Sequence, residues 1–246
     1  MTTNEDVTIS KESITRLLKD VRQIMTNPLS DNGIYYVHDD EDVLQGYAMI
    51  IGPSDTPYFG GFYFFKFKYP YDYPFSPPTV TYHTNDGNVR FNPNLYINGK
   101  VCISILNTWR GEQWSSCQSI STILLTLCTL FVKNPIVNEP GISLSNSDNK
   151  PYNEIIKYSN IKVAVCNMIQ QKHGVFMPEF SMFLSFMKEN FLKNMDSILA
   201  FLTDKKNSEK EKYSVRTRIY NMNIMVDYPT LFNDFMECKN SLTKLK

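Results

Sequence analysis

Four extended stretches in the first third of the chain leave few folds open to it. Residues 34–38, 44–51, 62–69 and 79–83 are rich in β-branched or aromatic side chains, and Gly, Pro or Asp bounds each of them. Such runs form strands, and Gly52-Pro53 and Gly60-Gly61 mark turns between them. The spacing predicts a four-stranded antiparallel meander. In 62–69 aromatics fall on both parities, while Lys66 and Lys68 share one face. That pattern predicts a central strand covered on both sides, with its lysines near an exposed end.

Helical periodicity flanks the strands. Ser10 is a good N-cap for a helix carrying Ile14, Leu17, Leu18, Val21, Ile24 and Met25, which Asn27-Pro28 stops; a polar lead, residues 1–9, precedes it. Ser119 caps a second stripe with Ile120, Ile123, Leu124, Leu127, Leu130 and Phe131, apolar nearly all round and ended by Asn134-Pro135. A third helix is expected from Asn149 and Pro151 to about residue 171. Beyond Gly174, residues 178–203 predict an amphipathic helix, 204–212 a charged solvated loop, and a last helix starts at Asp227 with Pro229 in its first turn. The Met and Phe stripes of these helices suit packing better than a cofactor box. The fold class is therefore α+β.

Composition narrows the function. With 42% hydrophobic and 20% charged residues and a formal net charge of +0, the 246-residue chain has no strong non-specific attraction to nucleic acid. It carries no signal-peptide pattern and no apolar run near about 18 residues, so no membrane is expected. The five cysteines show no paired or zinc-like spacing, which suits a reducing compartment. No phosphate-cradling glycine loop and no repeat occurs.

The chemistry-bearing stretch is 89–119. A free cysteine is usually buried and inert, so Cys102 alone carries little weight. Its surroundings change that. Asn92-Pro93-Asn94 is a stiff polar turn, because Pro93 fixes its own φ and pushes Asn92 towards an extended conformation. Asn98-Gly99 is a turn signal that folds the chain back, returning Cys102 towards Asn94. A thiol beside a preorganised amide suits acyl transfer, as nucleophile plus oxyanion donor. Only His38, His83 and His173 occur, none in a protease motif, and a papain-like hydrolase needs a His–Asn pair. His83 is expected to be a satisfied histidine at a strand end. Upstream, Tyr73 to Pro78 holds three prolines in six residues. It must be a rigid loop, with Tyr73-Pro74 a candidate cis bond and Phe75 exposed.

Together, Tyr73-Pro74-Phe75-Ser76-Pro77-Pro78, Asn92-Pro93-Asn94, Cys102 eight residues after Asn94, and Trp109 or Trp114 resemble the ubiquitin-conjugating enzymes in order and spacing. Asn92 stands where most members have His, a loop-shaping residue. The variant around Cys102, with Asn138-Glu139-Pro140-Gly141, Tyr152-Asn153-Glu154 and Val163 to Cys166, is similar to the Z-type subgroup of that family. The likeness extends to about residue 172.

Residues 173–246 lie beyond the likeness, and the large apolar residues on one face of 178–203 predict a helical extension packed on the core. Over residues 1–172 the resemblance implies the ubiquitin-conjugating fold. It implies ubiquitin or a ubiquitin-like protein carried as a thioester on Cys102, with Asn94 as oxyanion donor. Glu139 would orient the incoming lysine or take its proton, although Asp148 or another acid also suits that part. Implied partners are an activating enzyme, RING-type or HECT-type ligases and protein substrates. Pro74, Phe75, Trp114, Ser115 and Ser116 are the ligase-contact candidates. Trp114-Ser115-Ser116-Cys117 departs from the Trp-Ser-Pro-Ala of many relatives. No cofactor is implied, since ATP is used upstream, and the location implied is cytoplasmic or nuclear. The other class open to such a chain is a catalytically silent ubiquitin-binding module, which characteristically lacks the cysteine.

Overall fold

The computed structural model describes residues 9–243; the polar lead, Ile9 apart, lies outside the described residues. Helix α1 (Lys11–Thr26) starts where Ser10 Oγ accepts the Ser13 N–H and buries Leu17, Val21 and Ile24. Leu18 and Met25 belong to the same apolar stripe in sequence, yet both are exposed. They project beyond the arc that meets the core.

Strands β1 (Ile34–His38), β2 (Gln45–Ile51), β3 (Phe62–Lys68) and β4 (Thr79–Tyr82) pair in chain order, all antiparallel. This is the expected meander, and β3 is internal and covered on both faces. On one face the Tyr63 ring lies 4.6 Å from Phe131 and 5.9 Å from Phe91. On the other, Phe64 stacks 4.8 Å from Phe180 and lies 5.9 Å from Phe176. Alternation along one strand thus joins the motif segment to the C-terminal segment. His83 follows β4 and is satisfied, its ring nitrogens 2.9 Å from Thr81 Oγ1 and 3.0 Å from Met177 Sδ.

Helix α2 (Ile120–Cys128) begins with a Ser119–Thr122 capping box. It differs from expectation twice. Leu125 is exposed, so one side faces solvent, and the helix stops at Cys128, well short of Pro135. The Thr129 N–H still reaches Leu125, but the two after it reach back only three residues, Leu130 to Leu127 and Phe131 to Cys128. This tightening turns the Leu130 carbonyl outward, where the amides of Asn92 and Asn138 both donate to it, at 2.8 and 3.1 Å.

Helix α3 (Asn149–Ser159) continues through a π-helical segment, Asn160–Asn167. Its wider turn places Asn160 to accept from the Tyr63 hydroxyl (2.6 Å) and donate to the Phe59 carbonyl (2.9 Å). Gly61 permits the approach, since a Cβ there would meet Asn160 Oδ1 at 1.9 Å.

The C-terminal segment opens with a 3₁₀ turn, Pro178–Phe183, then α4 (Leu184–Ser208). The charged run 204–212, expected as loop, instead supplies the end of α4, and only 209–212 leave it. Lys205 and Lys206 suit a helix C-terminus, and Lys205 pairs with Glu209. An unexpected hairpin follows, β5 (Tyr213–Arg216) with β6 (Asn223–Val226). Helix α5 (Tyr228–Thr243) starts as expected, with Asp227 Oδ1 accepting the Thr230 N–H at 2.9 Å.

Phe180, Phe183, Met187 and Phe191 are buried where this segment lies against the rest of the chain. Phe180 meets Tyr47, Phe186 meets Tyr35, and Glu179 pairs with Lys66 at 3.4 Å. Burying each large apolar side chain contributes about 1.5–3 kcal/mol, far more than the half-exposed ion pair. Helix α5 lies on the π segment, where the Cys238 thiol approaches the Cys166 carbonyl at 3.7 Å. That neighbouring thiol and burial together push the Cys166 thiol well above its ordinary pKa. Among the described residues no helix is long and apolar enough to cross a membrane.

Candidate functional site

The Asn92-Pro93-Asn94 turn is held through the Asn92 side chain, which is fully buried. Its Nδ2 donates to the Tyr58 hydroxyl (3.1 Å) and the Leu130 carbonyl (2.8 Å), and its Oδ1 accepts from the Asn94 N–H (3.0 Å) and Asn138 Nδ2 (3.4 Å). An amide used from both ends fixes the turn in three directions. Gly99 then reverses the chain at φ +87, a left-handed conformation that suits glycine.

The reversal brings Cys102 beside Asn94, as expected. Cys102 N–H donates to the Asn94 carbonyl at 2.9 Å, and Asn94 Nδ2 donates to the Cys102 carbonyl at 2.6 Å. One of the two Asn94 amide hydrogens is thus engaged by the backbone of Cys102, which leaves the other as a donor. Thr108 ties down both flanks of the cysteine, donating to the Val101 carbonyl (2.9 Å) and accepting the Ile103 N–H (3.0 Å). Cys102 itself is 1% exposed.

The two acidic residues weighed for proton handling both meet the hairpin turn 217–222. Glu139 Oε2 accepts from the Tyr220 hydroxyl. Asp148 Oδ2 accepts the N–H groups of Arg218 and Ile219, each at 2.8 Å. Arg90 lies between two rings, 3.6 Å from the Tyr96 centroid and 4.1 Å from that of Tyr220, and donates to the Pro93 carbonyl. The turn is strained, with φ +58 at Tyr220 and +50 at Asn221. Such left-handed non-glycine residues cost about 1–3 kcal/mol each. Burial and the Glu139 carboxylate push the Tyr220 hydroxyl far above the ordinary tyrosine range, so it remains a donor. Tyr58, Arg90, Thr108 and Tyr220 escaped the sequence reading. Thr108 had a signal of sorts in its place beside Trp109, whereas Tyr220 had none. Among the described residues no group of three or more His, Cys, Asp or Glu side chains is placed to hold a metal ion.

A family model described as ubiquitin-conjugating enzyme matches residues 16–160, which include this turn and the cysteine. The chain belongs to that family. It is 44% identical over 190 residues to ubiquitin-conjugating enzyme E2 Z of Danio rerio, covering 76% of this chain and 56% of that one. The Homo sapiens E2 Z is 46% identical over 164 residues, 65% of this chain and 46% of its own. Human "dual E2 ubiquitin-conjugating enzyme/E3 ubiquitin-protein ligase BIRC6" is 38% identical over 175 residues, 65% of this chain and 4% of its own. The chain spans about half the length of the E2 Z relatives it matches. The Z-type likeness of the motifs is therefore matched by overall similarity.

The five ligase-contact candidates of this ubiquitin-conjugating family member lie on two loops that touch. Trp114 Nε1 donates to the Pro74 carbonyl at 2.7 Å, and its ring lies 6.0 Å from Tyr73. The Tyr73-Pro74 bond is cis. Phe75 is 77% exposed, and Ser115 and Ser116 are exposed beside it. Helix α1 completes the face: Arg16 donates to the Ser116 and Gln118 carbonyls at 2.5 and 2.7 Å and pairs with Asp20, which accepts from the Tyr73 hydroxyl at 2.6 Å.

Proposed function

We propose that this chain accepts ubiquitin or a ubiquitin-like protein from an activating enzyme as a thioester on Cys102 and passes it to a substrate lysine. The observation that carries the reading is the reciprocal pair of hydrogen bonds between Asn94 and Cys102, in a chain of the conjugating family. Cys102 attacks the activating enzyme's thioester as thiolate; its sulfur–carbon bond forms and the activating enzyme's sulfur leaves. A lysine amine then attacks the new thioester carbonyl. The free Asn94 N–H stabilises the oxyanion, a donor whose loss raises a barrier by about 3–4 kcal/mol. Collapse of that intermediate expels Cys102. Glu139 orients the amine or takes its proton, a step needed because a free lysine has a pKa near 10.4.

RING-type or HECT-type ligases engage the face made by Pro74, Phe75, Trp114, Ser115 and Ser116. The chain needs no cofactor of its own, since ATP is used upstream, and a free thiol suits the cytoplasm or nucleus. One observation favours the other reading, a silent ubiquitin-binding module: Cys102 is 1% exposed.

Loading separates the two. Incubation with a panel of activating enzymes, ATP and tagged modifiers is expected to give a dithiothreitol-sensitive band with at least one pair. Cys102→Ala abolishes that band and Cys102→Ser converts it to a reductant-resistant ester. A reductant-sensitive adduct on Cys102→Ala would move the nucleophile to Cys117 or Cys128 and overturn the assignment.

A further inference from the structure

We infer that the hairpin turn 217–222 is part of the conjugating site and that Tyr220 is its positioning residue, aiming Glu139 and bracing the Asn92–Asn94 turn through Arg90. The inference rests on the conjugating reading above. Three contacts from one turn converge on the surroundings of the site. The Tyr220 hydroxyl donates to Glu139 Oε2, the Tyr220 ring lies 4.1 Å from the Arg90 guanidinium, and the N–H groups of Arg218 and Ile219 hold Asp148 Oδ2 at 2.8 Å. Arg90 in turn donates to the Pro93 carbonyl, one residue before Asn94. On the other side Asn138, next to Glu139, donates to Asn92 Oδ1 at 3.4 Å. The segment 138–139 and the turn 92–94 are thereby connected twice, once directly and once through Tyr220.

The backbone supports a specific role. Tyr220 and Asn221 both hold left-handed conformations, φ +58 and +50, which a bulky residue adopts only when its surroundings require it. Helix and strand alike are interrupted there, and the strain delivers the ring and hydroxyl to Arg90 and Glu139. With Oε2 engaged, Glu139 Oε1 has no protein partner among the described residues. A carboxylate held by one oxygen presents the other in a fixed direction. Oε1 then takes a proton from the cationic nitrogen of the tetrahedral intermediate, after the neutral amine has formed its nitrogen–carbon bond and before the Cys102 sulfur–carbon bond breaks. Asp148, held by two N–H groups, is fixed as a neighbouring charge.

The test uses the full chain charged on Cys102 and compares Tyr220→Phe, Tyr220→Asn, Glu139→Gln and the double variant Tyr220→Phe/Glu139→Gln. Tyr220→Phe keeps the ring on Arg90 and loses the hydroxyl; Tyr220→Asn tolerates the left-handed backbone and loses both. Discharge to free lysine is expected to slow about three- to tenfold in Tyr220→Phe and more in Tyr220→Asn, with the loss falling on discharge and not on charging. In the Glu139→Gln background, Tyr220→Phe should add nothing. Discharge at the wild-type rate, or a full additive loss in the double variant, overturns the inference and leaves the conjugating reading standing. A wild-type chain that no activating enzyme loads removes both. Melting curves exclude loss of fold as the cause.

Discussion

Asn92 sits at the centre of a buried hydrogen-bond set, and its removal should be felt in stability before it is felt in chemistry. In Asn92→Ala the Asn94 N–H loses its partner and the Tyr58 hydroxyl and Leu130 carbonyl lose a donor. The Tyr58 hydroxyl still donates to the Phe91 carbonyl and the Leu130 carbonyl still accepts from Asn138, so the unpaired Asn94 N–H sets the cost, about 1–3 kcal/mol, read as a lower denaturant midpoint. Asn94→Ala has a different signature. Charging stays largely intact while single-turnover discharge to lysine falls roughly 10²–10³-fold; rates equal to wild type would show that the amide has no part in the second step. Burial ranks the thiols. Cys117 is exposed, Cys128 half-buried, and Cys102, Cys166 and Cys238 are buried, so mass-mapped alkylation of the native chain should label Cys117 first. Cys102 and Asn94 were legible because eight residues and one glycine turn bring them together. Tyr220 was not, because 81 residues separate it from Glu139 and no local pattern announces a contact made through strained backbone.

At the scale of elements, strand β3 explains why the meander could be read so directly. Aromatics on both parities announce cover on both faces, and Phe91 with Phe131 on one side and Phe180 on the other supply it. Phe180→Ala is expected to cost about 3–5 kcal/mol, read as a lower melting temperature. The hairpin β5–β6 was invisible for the converse reason. Its strands have four residues each, and its turn uses Tyr220 and Asn221 at positive φ where a sequence reading looks for glycine. The early end of α2 was equally hidden, because the partners of the outward Leu130 carbonyl, Asn92 and Asn138, come from other segments. His83, between β4 and the 3₁₀ turn at 178–183, links acidity to this packing. Burial lowers its pKa below the ordinary histidine value, so the folded state disfavours the charged ring. Stability is then full above about pH 6.5 and falls as the pH drops below it; His83→Gln should flatten that slope.

Across the whole molecule, the C-terminal segment lies on the sheet through Phe176, Phe180, Phe183 and Phe186 and meets Glu139 and Asp148 through one turn. Limited proteolysis should therefore cut first at 209–212, between α4 and β5, whereas early cleavage near residue 172 with release of an intact fragment would mean a separate arm. A chain truncated after residue 172 should aggregate, since it uncovers Tyr35, Tyr47 and Phe64 together. The hydrogen bonds from 217–222 also have a consequence in time. Glu139 and Asp148 leave the ribosome 81 and 70 residues ahead of the groups that hold them. At about 5–20 residues per second, that interval is roughly 4–16 s. For those seconds a nascent chain presents Cys102 with both carboxylates unheld, and the last-made part of the site is the part that orients it.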